Sequence, residues 1–91
     1  GDRTRIALAR EWLEREIPAQ RERGFVDGVA ESLVFLRLTG LPARQEKRYL
    51  DWLGKRQRID GGFCFSQSPG CKAHWHPASL MYYLLLEIKS E

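Results

Sequence analysis

The residues with the most chemical reach lie in one stretch, "DGGFCFSQSPGCKAHWHP", from Asp60 to Pro77. It holds both cysteines and both histidines of the 91-residue chain, in the order Cys64-x6-Cys71-x2-His74-x-His76. Two thiolates and two imidazoles satisfy tetrahedral zinc, and a loop can bring four such groups together. The cysteines stand further apart and the histidines closer than in common structural zinc sites. A Cys64–Cys71 disulfide is sterically open at this separation. A nucleophilic Cys71–His74 pair lacks a carboxylate placed to orient the imidazole. The reading adopted is structural: Cys64 is a small buried hydrophobe beside Phe63 and Phe65, Cys71 a turn residue, and His76 a cap ahead of Pro77. No cofactor is expected apart from a zinc ion on those four residues. Phe63, Phe65, Trp75 and Tyr82 together could line a pocket for an apolar ligand, although Tyr82 and its neighbour Tyr83 read more readily as core filling.

Such a loop needs elements to hold it. From Arg3 to Ile17, apolar Ile6, Ala9, Leu13 and Ile17 recur at three and four residues among charged ones, the pattern of a one-faced helix. Pro18 and Gly24 are expected to end it. Asp27 is then expected to cap a second helix, "GVAESLVFLRLTG", which is apolar nearly all round and stops at Gly40 before Pro42. A third helix, about Ala43 to Arg58, is amphipathic, with Tyr49, Leu50, Leu53 and Gln57 on one side. A fourth begins at Pro77, whose missing amide hydrogen suits a first helical position. It continues as "ASLMYYLLLEIKS", again apolar almost throughout. No segment offers a strand period, so the fold class is all-α, one domain of four helices in which charged and apolar helices alternate.

The alternation is also a repeat. Trp12-Leu13 precedes Gln20 by the interval at which Tyr49-Leu50 precedes Gln57. Gly24-Phe25 and Gly62-Phe63 follow the two glutamines, and then Ser32-Leu33 matches Ser79-Leu80. Two copies of a helical hairpin, about 3–40 and 43–90, are the simplest reading. The second copy is longer between Phe63 and His76, where the candidate chemistry lies.

"YLDWLGKRQRIDGGF", followed by a loop and an apolar helix, resembles the repeat of the terpenoid cyclase and protein prenyltransferase superfamily. In that repeat a helix ends in Gln, followed shortly by Asp-Gly-Gly-Phe. The match covers Tyr49 to Leu86 well and Arg10 to Leu38 loosely. It implies a segment of an α/α toroid, with the amphipathic helices outside and the apolar ones lining a cavity for an apolar, isoprenoid-like ligand. Gln57, Asp60, Gly61, Gly62 and Phe63 would then form a structural turn. The family's clustered aspartates are absent, and "AHWHPASL" lacks the Asp and Cys of the prenyltransferase zinc site. The resemblance therefore implies the fold without the complete catalytic machinery.

The composition narrows the partners. Lys and Arg number 15 against 12 Asp and Glu, a formal net charge of +3 with the signs interleaved. The basic residues Arg44, Lys47, Arg48, Lys55 and Arg58 are interrupted by Glu46 and Asp51, so nucleic acid is not an expected partner. No apolar run reaches the ~20 residues of a membrane span. Two apolar helices in so short a chain are hard to cover completely. The expected partners are the rest of a longer parent chain, a second copy, or another protein, with an apolar small molecule as a further ligand. The alternative to a cavity wall is a small non-enzymatic interaction module with a zinc-stapled loop.

Overall fold

The computed structural model describes residues 1–63 and 76–89, with backbone alone at His76 and Ala78. Among these residues the fold is all-α, with four helices: α1 (Asp2–Glu22), α2 (Val26–Leu38), α3 (Glu46–Arg56) and α4 (His76–Lys89). No strand occurs among them, and the only extended pairing described is an isolated antiparallel bridge between Gln57 and Phe63.

The apolar helix α2 lies at the centre and packs against each of the other three. Val26, Val29, Ala30, Leu33 and Leu36 of α2 are completely buried. Ile17 of α1, Leu53 of α3 and Leu84 of α4 close over them, also without exposure. Burial of an aliphatic side chain of this size stabilises by about 1.5–3 kcal/mol, so this cluster is the main cohesive element.

Polar contacts set the angle between the hairpins. Arg37, in the last turn of α2, donates from Nε and Nη2 to the Glu46 carboxylate in the first turn of α3, at 2.5 and 2.7 Å. Both side chains are 11% exposed. A fork-to-fork pair in so little water fixes the helix–helix corner geometrically. Arg10 of α1 reaches the same corner. It donates to the carbonyl oxygens of Leu36 and Leu41 and to Thr39 Oγ1, which satisfies groups left open where α2 ends.

Several sequence expectations are corrected. Helix α1 does not stop at Pro18 but continues to Glu22 with the proline inside it. Pro18 is exposed. Water can therefore serve the carbonyl that loses its amide partner there, while buried Ile17 and the Ser32 Oγ–Gln20 Oε1 hydrogen bond of 3.2 Å hold the flanking turns in register. Asp27 is not the cap of α2. Phe25 occupies that position without a side-chain cap, and Asp27 falls in the first turn, where a carboxylate suits the positive end of the helix. Helix α3 is shorter than expected at both ends, and Gln57 lies outside it in extended conformation with φ −72° and ψ 137°. Helix α4 starts at His76, one residue earlier than expected.

Candidate functional site

The exit from α3 is built from Gln57 to Phe63. The chain leaves the helix at Gln57, turns through Asp60 and Gly61, and returns antiparallel to itself at Phe63. Two backbone hydrogen bonds close the turn: Arg58 N–H donates to Gly62 O at 2.8 Å and Gly61 N–H to Arg58 O at 2.9 Å. Gly61 has φ +92°, a conformation that side chains with a Cβ resist. Gln57 Nε2 donates to Gly61 O at 2.7 Å, and Asp60 Oδ1 accepts from Gly62 N–H at 3.0 Å. An exposed Arg58–Asp60 ion pair at 3.4 Å adds little. The glutamine bonds within its own turn, not across to the other hairpin.

Phe63 anchors this corner: among the described residues it is the largest fully buried side chain, and it is part of the core cluster. Its counterpart in the repeat behaves differently. Gly24 also has positive φ, at +71°, but Phe25 is 48% exposed and its ring lies across Gly28. A Cβ at Gly28 would come 2.5 Å from that ring. The first hairpin thus holds its phenylalanine outside, over a groove of about 410 Å³ lined by Trp12, Leu13, Phe35 and Ser32 among others.

Of the four aromatic residues read as a ligand wall, Phe63 is enclosed in the core and Tyr82 is 65% exposed on α4. Phe65 and Trp75 lie outside the described residues, as do Cys64, Cys71 and His74. His76 begins α4, and its side chain is not described. The described residues contain no group of three or more His, Cys, Asp or Glu side chains able to hold a metal ion.

On α4, Tyr82, Leu85 and Leu86 share the outer face, 65%, 44% and 47% exposed. Beside them, burial pushes the Tyr83 phenol above its ordinary value, and the Glu87 carboxylate one turn on adds to the shift by its charge and by accepting the phenol's hydrogen bond. The functional features that residue types alone did not reveal are Arg10 and the Arg37–Glu46 pair. Both depend on residues 9 to 31 positions apart, and an arginine among many on a charged helix carries no local mark of its partner.

No helix among the described residues is long and apolar enough to cross a membrane. Comparison with protein-family models, curated proteins and solved structures gives no match.

Proposed function

We propose that this chain is a non-catalytic packing unit of α/α-toroid type, two helical hairpins whose α4 face receives a further helical hairpin. The observation that carries this reading is the outer face of α4. Tyr82, Leu85 and Leu86 stand at the i, i+3, i+4 spacing that buried helix faces use, yet all three are exposed. The pairing of α2 with α4 inside the chain is the template for the next contact. In the repeat register Tyr82 and Leu85 correspond to Phe35 and Leu38, so the incoming element is an apolar helix like α2. Stacked repeats bury their faces on neighbours, which a longer chain, a second copy or another protein can supply. Sedimentation velocity across a concentration series, with binding of a hydrophobic dye, tests this. Dye binding or association that falls on changing Leu85 and Leu86 to Glu, with helix content kept, is the expected result. A clean monomer that binds no dye sinks the reading.

A second reading is favoured by the groove under Phe25, where Trp12, Leu13 and Phe35 offer an apolar lining of the size small ligands use. In that reading the chain holds an apolar, isoprenoid-like molecule against the first hairpin. Titration with farnesol tests it through Trp12 fluorescence, and an emission that does not respond removes it.

A further inference from the structure

Away from both apolar surfaces, the last turns of α1, from Pro18 on, face α3 across a cleft. Helix α3 presents Arg48, Tyr49 and Trp52 there, with Gln45 just ahead of its first turn, and α1 contributes Arg21 and Glu22. These residues line a cleft of about 630 Å³. Positions 45, 48, 49 and 52 follow helical spacing, so one face of α3 forms the whole of one wall.

Three features of this cleft bear on what it can hold. Tyr49 is only 6% exposed, and its hydroxyl makes no hydrogen bond with any described residue. Yet no buried side-chain polar atom in the described structure lacks a partner. Tyr49 is also one of the residues that line the cleft. The second feature is charge. Arg37, Arg44 and Arg58 each pair with an acid, whereas neither Arg21 nor Arg48 does so among the described residues; Arg48 Nη1 donates only to Gln45 Oε1, at 3.0 Å. The third is the wall itself. Arg56 lies over the Trp52 ring, 4.9 Å from its centroid, and its Nη1 approaches within 3.3 Å of where a Gly24 Cβ would stand. That stacking fixes the indole and brings a further cation to its edge.

We propose that this cleft is a binding site for a small phosphate-bearing anion. Arg21 and Arg48, from two helices, and the phenol of Tyr49 line one cleft, and together they offer the several donors that a tetrahedral dianion accepts and a single carboxylate does not use. Trp52 offers a flat surface to whatever the phosphate is attached to. Glu22 is the one acid in the lining and opposes the bound charge.

The test is a two-dimensional NMR titration of the whole chain with inorganic phosphate, and separately with phenyl phosphate, with sodium chloride adjusted to keep ionic strength constant. Saturable shifts at the Trp52 indole N–H and at the amides of Arg48 and Tyr49 are expected, with phenyl phosphate the tighter of the two. Changing Arg21 and Arg48 together to Gln should weaken binding by at least about tenfold, since each removes a charge-assisted contact. Tyr49→Phe should weaken it by about threefold without changing any charge, as loss of one neutral hydrogen bond does. Glu22→Gln should strengthen it. Arg21 and Arg48 are exposed, so the double variant keeps its fold and decides the matter even if Tyr49→Phe disturbs packing. Shifts that never saturate, that chloride reproduces, or that persist unchanged in the double arginine variant overturn the proposal.

Discussion

Phe25 and Phe63 follow glycines of similar role in the two hairpins, yet one is 48% exposed and the other fully enclosed. Substitution should separate them sharply. Phe63→Ala opens a cavity beneath the α3 exit and should cost about 3–5 kcal/mol, whereas Phe25→Ala should cost about 1 kcal/mol or less because half of its ring already meets water. Equal losses in urea denaturation would show that the corner is not held by Phe63. Tyr83 gives a prediction in pH. Its phenol is raised above the ordinary value of 10.0, first by burial and then by Glu87, so the folded state holds the proton more tightly than the unfolded chain does. The corresponding stability is complete below pH 10.0 and is lost as pH rises through the higher folded value. Tyr83→Phe should remove that part of the alkaline loss, and the difference between the two urea midpoints followed from neutral pH upward isolates it from the other tyrosines. An identical alkaline loss in both proteins would count against the assignment.

At the scale of the elements, two glycines of the second hairpin should respond in opposite directions to alanine. Gly61 needs φ +92°, so Gly61→Ala is strained and should cost about 1–2 kcal/mol. Gly54 lies inside α3, and among the described residues an added Cβ would meet only Met81 Cε, at an ordinary 3.7 Å. Gly54→Ala should therefore stabilise by about 0.5–1 kcal/mol through helix propensity. Thermal melts of the two variants on either side of the parent are the expected outcome; a loss at Gly54 would mean that α3 and α4 are packed more closely than this contact indicates. The four helices were legible because their apolar spacing is local, and the turn at Asp60-Gly61-Gly62 because glycine chemistry is local too. Pro18 misled for the same reason. Its preference is to end a helix, but Ile17 and the Gln20–Ser32 bond, set by packing on α2, carry the helix on to Glu22. Nothing within α1 marks Arg10 as the residue that closes the end of α2. The cleft between α1 and α3 was illegible on the same ground, because its walls come from two elements whose approach no local pattern records.

The described residues form a slab, 46 × 29 × 19 Å, with a Cα radius of gyration of 13.5 Å. A compact chain of this length is expected nearer about 12 Å, and the excess accords with an elongated arrangement of helices. Stability must then be uneven along the chain. Helix α2 meets every other helix and, among the described residues, holds more fully buried side chains than any other element. At the opposite extreme, residues 1–8 are all exposed, and Leu8 of α1 is 66% exposed. Two helical turns without tertiary cover rest on propensity alone, which is marginal in water. Opening of that end should cost little, while exchange within α2 should require the global transition. Hydrogen exchange under native conditions is therefore expected to show almost no protection before Ala9, rising protection toward Ile17, and the slowest amides between Ala30 and Leu36. The profile depends on the hub position of α2 and not on helix length, since α1 is the longer helix, at 21 residues against 13. Protection spread evenly along α1, equal to that of α2, would mean that the exposed surface of residues 1–8 is covered in solution, and the first hairpin would then have to be counted among the docking faces.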